Sequence, residues 1–162
     1  MKGLYFILTA LFVNFGLLSQ SDETGVIAKI KSLDKEFWSD YNNCQIATLK
    51  NHLDEQIEFY HDKGGMLVGA DNLVNSIKKN LCSVKNYKIR REVLPNTENF
   101  SILRNQGIIY GVIYSGEHLF YLTLEEKKEF ADGRAKFLHL WILENNHWKM
   151  KRILSYEHKA VN

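Results

Sequence analysis

A single proline and two cysteines stand among 162 residues, and the charges nearly cancel, with 21 Lys and Arg against 19 Asp and Glu. One proline and 10 glycines exclude a collagenous or proline-rich low-complexity chain and leave room for long unbroken elements. Two cysteines are too few for a disulfide scaffold. With no histidine or second cysteine at ligand spacing beside either, they also do not describe a structural zinc site. A formal net charge of +2, with both signs interspersed, provides no basic footprint, so nucleic acid is not expected as a partner. The chain has no Gly-x-Ser-x-Gly elbow, no phosphate-binding glycine motif, and no His-x-His or His-x-x-x-His pair. No metal and no cofactor are therefore expected.

Long apolar runs are also scarce. The one present, Leu4 to Leu18, follows the lone basic residue Lys2 and precedes Ser19, Gln20 and Ser21. This is a signal-peptide layout, shorter than the ~20 residues of a membrane span, and cleavage is expected after Ser21. No cysteine follows the run, so a lipid anchor is not expected. The organisation read from the sequence is a signal peptide at 1–21 and one domain at 22–162. The protein is expected to be exported, periplasmic or secreted, with no stable membrane anchor after cleavage. In an oxidising compartment Cys44 and Cys82 either form a disulfide or remain as buried apolar thiols.

Val26, Ile27, Ile30, Leu33, Phe37, Trp38 and Tyr41 recur at helical spacing and predict a long amphipathic helix over 22–41. Ile46, Leu49 and Leu53 mark a short second helix, and Asp71 is placed as the N-cap of a third carrying Leu73, Ile77 and Leu81. Strand patterns follow at Gln56–Asp62, Met66–Val68, Tyr87–Leu94, Phe100–Leu103, Gly107–Tyr121, Arg134–Leu143 and His147–His158. Glu125 to Asp132 reads as a charged excursion, helical or looped. Helices first and a long sheet afterwards predict an α+β domain with helices packed into a strongly curved antiparallel sheet. Such a cone opens at one end into a small-molecule site.

Four segments carry a resemblance: Phe59-Tyr60-His61-Asp62-Lys63-Gly64-Gly65, Gly116-x-His118-x-Phe120, Lys136-Phe137-x-His139-x-Trp141, and Trp148-Lys149 with Ser155-Tyr156-Glu157-His158. In these the chain resembles the NTF2-like superfamily, in particular its small exported bacterial SnoaL-like or DUF4440-type domains. The resemblance implies the cone fold. It leaves the activity open among isomerases, dehydratases, cyclases, epoxide hydrolases, adaptors and binders. Where isomerase-type members carry a catalytic carboxylate, this chain has Phe59 to His61, which fits a dehydratase-like division of acid and base work better.

Strand parity assigns faces, because residues two apart point the same way. His61 goes with Ile57 and Phe59, opposite Asp62, and Arg91 goes with Tyr87, Ile89 and Val93. His118 goes with Ile108, Tyr110, Val112, Tyr114 and Phe120. His158 goes with Trp148, Met150, Arg152, Leu154 and Tyr156. His139 lies with Phe137 and Trp141 on a strand apolar on both faces. The candidate catalytic residues are His61 and His118, since imidazole titrates near neutrality. The candidate ligand-binding residues are Trp38, Tyr41, Arg91, Tyr110, Tyr114, His139, Trp141 and His158. Arg91 either offers its charge to an anionic ligand or pairs with a buried carboxylate. Three functions fit: a binding domain for a small molecule, a proton-transfer enzyme of isomerase or dehydratase type, and a non-catalytic module forming a homodimer through its outer sheet face.

Overall fold

In a computed structural model, residues 15–125 and 127–161 are described, with side chains from 23 onward. The expected signal segment lies outside the described residues up to position 14. Helix α1 runs Phe15–Asn42, so it begins ahead of the expected start at 22. It is followed by α2 (Ile46–Asn51), β1 (Leu53–His61), β2 (Gly65–Val68) and α3 (Ala70–Ile77), which continues into a π-helical turn Lys78–Cys82. The rest is sheet: β3 (Tyr87–Val93), β4 (Asn99–Asn105), β5 (Ile108–Leu124), β6 (Phe130–Glu144) and β7 (His147–Ala160). No described helix is long and apolar enough to cross a membrane.

Three local expectations differ. Leu53 starts β1 and does not extend α2, leaving the second helix as six residues. The N-cap of α3 is Gly69, whose φ of 90° suits glycine, while Asp71 sits in the first turn and its carboxylate takes a 2.6 Å bond from Lys50. The charged excursion is short, because β6 has already begun at Phe130.

The seven strands form one mixed sheet in the order β2-β1-β7-β6-β5-β3, with β4 pairing beside β3 on the same edge of β5. It is not purely antiparallel, since β1 runs parallel to β7. Bulges break the ladder repeatedly. Tyr110 is an extra residue on β5 opposite β4, Asp132 on β6 opposite β5, and Lys151 and one residue of 157–158 on β7 opposite β6. Each added residue bends its strand and raises the local twist, which lets strands of 14 to 17 residues wrap around α1.

Every bulge also reverses side-chain parity beyond it. On β7 Met150 is buried, but after Lys151 the inward residues are Ile153 and Ser155, so Arg152, Leu154 and Tyr156 leave the face expected for them. The bulge at Glu157, with φ 57°, then restores His158 to the inner side. On β5 the bulge at Tyr110 sends Ile108 (73% exposed) and Tyr110 (42%) outward, while Val112, Tyr114 and His118 point in.

The core lies between α1 and the concave sheet, where Ile30, Phe37, Val112, Phe137, Trp141, Met150 and Ile153 are buried. Each such side chain contributes roughly 1.5–3 kcal/mol by leaving water. Cys44 and Cys82 form a disulfide, joining the end of α1 to the end of the π-helical turn across 38 residues. A loop of that length corresponds to about 4 kcal/mol in the chain-entropy account. The double variant Cys44→Ser/Cys82→Ser is expected to melt roughly 10 °C lower than the parent by circular dichroism. A melting temperature within 2 °C of the parent would contradict this.

Candidate functional site

Between the concave sheet, α1 and α3 lies an apolar cavity of about 290 Å³. Trp38 and Tyr41 line it from α1, Ile77 and Leu81 from α3 and the π-helical turn, and His61, His118 and Ser155 from the sheet. The disulfide thus pins one wall of the cavity to the helix forming another. Behind His118 runs a chain of polar groups with almost no exposure: His139, Asp34, Arg91 and His118.

Asp34 accepts a 2.6 Å bond from His139 Nδ1 through one oxygen and faces Arg91 Nη1 at 3.6 Å through the other. Arg91 Nε donates to His118 Nδ1 at 2.7 Å. The guanidinium lies over two rings, 4.0 Å from the Trp38 centroid and 4.6 Å from that of Phe137. Asn42 closes the backbone of Arg91, accepting from its N–H and donating to its carbonyl. Burial lowers the Arg91 pKa to about 10 despite Asp34, so the group stays charged near neutrality.

This geometry decides what His118 can do. Arg91 Nε–H can only donate, so His118 Nδ1 must accept, and the ring proton sits on Nε2. Burial first, and then the Arg91 charge, push the His118 pKa down to about 2. His118 is therefore a neutral imidazole whose buried Nε2–H has no partner. It lacks the lone pair of a general base and is a hydrogen-bond donor buried within the apolar wall. Phe137 stacks on it at 5.4 Å, and Phe137 lies so close to Gly116 that a Cβ there would meet its ring at 3.0 Å.

His61 is held in the same sense. Its Nδ1 accepts from the backbone N–H groups of Lys63 and Gly64 at 3.1 and 3.0 Å. Burial, then the neighbouring His158, lower its pKa. Like His118 it presents Nε2–H when neutral.

His158 has the opposite tautomer. Asp62 Oδ1 takes its Nδ1–H at 2.5 Å, leaving the Nε2 lone pair 3.2 Å from Ser155 Oγ. Asp62 also accepts from the His158 backbone N–H, and these bonds outweigh the effect of burial to hold its carboxyl below the usual range. The His158 ring stacks on His61 with centroids 4.3 Å apart. His61, Asp62 and His158 each bring a ligand-type atom within 4.8 Å of the others. They are poorly disposed for a metal, because His61 Nδ1 is occupied by two backbone donors and the two rings lie face to face.

Of the residues singled out from the sequence, Trp38, Tyr41, His61 and His118 line the cavity, and His158 sits at its rim against His61. Burial raises the Tyr41 hydroxyl pKa to about 12. Arg91 lies behind His118 with Asp34 facing its Nη1 at 3.6 Å, and together with Asp34, Trp38 and Tyr114 it lines a second cavity of about 600 Å³. Tyr114 bonds Glu98 at 2.7 Å on the far side, His139 is enclosed against Asp34, and Trp141 is core. Tyr110 faces solvent because of its bulge. Asp34, Asp62 and Ser155 were not anticipated. Asp34 left a readable signal, an acid falling in line with Ile30, Phe37 and Tyr41 on the apolar stripe of α1. Asp62 lies just past the end of β1, where parity no longer applies, and Ser155 was hidden by the bulges of β7.

Comparison with protein-family models and with curated protein sequences gives no match. Solved structures do match. An NTF2-like protein with a cystatin-like fold from Novosphingobium aromaticivorans superposes with TM-score 0.68 at 8% identity, over 90% of both chains. ActVI-ORFA from Streptomyces coelicolor gives 0.66 at 9%, over 83% of this chain and 98% of its own. The fold is NTF2-like. A further structural neighbour, from Catenulispora acidiphila and in complex with S-DNPA, gives 0.66 at 7% identity, over 82% of this chain and 94% of its own.

Asp34→Asn strips the counter-charge from buried Arg91 and is expected to cost about 3–5 kcal/mol in urea unfolding. His118 and His139 both titrate lower when folded, mainly through burial. The unfolded chain therefore takes up their protons first, and stability, full above about pH 6.5, falls as pH drops, by up to ~1.4 kcal/mol per pH unit for each. For His118 the decline continues down to about pH 2. Urea midpoints measured from pH 7.5 to 5 should fall, and His118→Gln should flatten the slope. A midpoint constant across that range would contradict two buried neutral imidazoles.

Proposed function

We propose that this protein is an exported binding domain whose NTF2-like cavity takes a small, largely apolar molecule carrying one acceptor oxygen. The observation that carries the reading is the unpartnered His118 Nε2–H in a wall of aromatic and aliphatic side chains. A buried donor without a partner costs on the order of 1–3 kcal/mol, which a ligand carbonyl, ether or hydroxyl oxygen recovers. The neutral tautomer and the commitment of Arg91 to Asp34 favour a neutral ligand over a carboxylate. Export is supported by the run Leu4 to Leu18 and by the Cys44–Cys82 disulfide, which persists in an oxidising compartment. The S-DNPA complex of the Catenulispora acidiphila protein is in keeping with a ligand-holding fold.

The test uses the fluorescent ketone 6-propionyl-2-dimethylaminonaphthalene and its 6-propyl counterpart, which lacks the carbonyl. The ketone should bind with blue-shifted emission and about 10-fold more tightly than the alkyl compound, and His118→Phe should abolish that preference. Equal affinity of the two compounds for the parent protein, or no binding of either, would refute the reading.

A further inference from the structure

We infer that Ser155, His158 and Asp62 form a nucleophilic triad at the rim of the cavity, able to take the acyl group of a small apolar ester bound there. The inference rests on the binding reading above for the placement of the substrate. It stands on geometry of its own. Asp62 Oδ1 fixes His158 Nδ1–H at 2.5 Å, and the ring's Nε2 lone pair lies 3.2 Å from Ser155 Oγ, which is the protonation pattern in which imidazole removes a hydroxyl proton.

Ser155 and His158 are three residues apart and would face opposite ways on a regular strand. The bulge at Glu157 brings them together, and bulges commonly re-aim side chains beside active sites. Two further contacts hold the group. The Asp62 N–H bonds the Ser155 carbonyl at 3.2 Å, and His61 stacks on the His158 ring. Ser155 is only 6% exposed, yet it lines the same cavity as His118. His118, whose Nε2–H is buried and unpartnered, lines the cavity beside the same apolar residues.

Ser155 Oγ forms a bond to the acyl carbon while its proton passes to His158 Nε2. The tetrahedral intermediate collapses with cleavage of the ester C–O bond, and the proton moves from His158 to the departing alkoxide. Water, activated by the same imidazole, then adds to the acyl-serine, releasing the carboxylic acid and restoring the serine hydroxyl. The apolar walls, Phe59, Phe120 and Ile153 among them, suit a short alkyl or arylmethyl acyl group.

The experiment treats the disulfide-intact protein with phenylmethylsulfonyl fluoride in the presence of a chelator and locates the adduct by peptide mass spectrometry. A parallel assay follows p-nitrophenol release from p-nitrophenyl butyrate. The expected result is one sulfonyl adduct on Ser155 and measurable ester turnover, both lost in Ser155→Ala. Asp62→Asn, which no longer fixes the His158 tautomer, should slow both on the order of 10⁴-fold. Ser155→Ala should still bind the naphthyl ketone, which shows that the cavity remains folded. Absence of an adduct on Ser155 in a protein that binds the ketone would overturn the triad and leave the binding reading standing. Labelling at Ser155 that Asp62→Asn leaves unchanged, or turnover abolished by the chelator, would overturn it as well. A Ser155 adduct in a protein that does not bind the ketone would support the triad and remove the proposed mode of binding.

Discussion

The site depends on a single buried cation. Arg91 enters the interior on β3, where its Nη2 has no partner but several other groups favour its charge. Asp34 supplies the opposite charge, Trp38 and Phe137 offer ring faces, and His118 accepts the Nε proton. Breaking a buried pair of this kind is strongly destabilising, whereas its intact net worth against an apolar substitute is often near zero. Its contribution is therefore best sought in specificity. The polar chain from His139 to His118 ties α1 to strands β3, β5 and β6 in one register and sets the protonation of two imidazoles.

The same constraint explains which parts of the site were legible in the sequence. The order of the helices and strands could be read from periodicity because each long segment repeats at its own period. The curved sheet followed from helices preceding a run of long strands. Side-chain direction was less accessible. Parity placed His61 and Arg91 correctly because β1 near His61 and β3 are unbulged in that stretch. It misplaced Tyr110 and the middle of β7 because a bulge shifts facing by one residue and leaves no fixed mark in composition. His158 was placed on the inner side correctly only because two reversals on β7 cancel. The parallel pairing of β1 with β7 joins residues about a hundred positions apart, which local patterns do not encode. Asp34 was visible in principle, as an acid on an apolar helical stripe.

Between the disulfide and the cavity there is a mechanical link. The π-helical turn Lys78–Cys82 ends at the bridge to Cys44, and residues at 76–77 and 80–81 line the cavity. A π turn is rare and makes the backbone locally wider than an α-helix, so the wall it forms gains from an external tether. Cys44 itself sits in a turn with φ 56°, between α1 and α2. The bridge thus joins two irregular segments, and Tyr41 and Tyr87 line the cavity whose wall it tethers.

The deeper pattern is a division of hydrogen-bonding roles along the cavity. At its depth, Arg91 forces His118 to keep its proton on Nε2, so that end offers a donor. At its rim, Asp62 forces His158 to keep its proton on Nδ1, so that end offers a lone pair shared with Ser155. One imidazole is ordered by a cation and the other by an anion, and the two tautomers are opposite for that reason. The cavity wall around these oppositely polarised groups is largely apolar. Scattered histidines satisfied by backbone carbonyls would show no such polarity. Here each ring's orientation traces to a charged side chain on its far side, so the hydrogen-bond polarity of both groups is fixed by the protein itself.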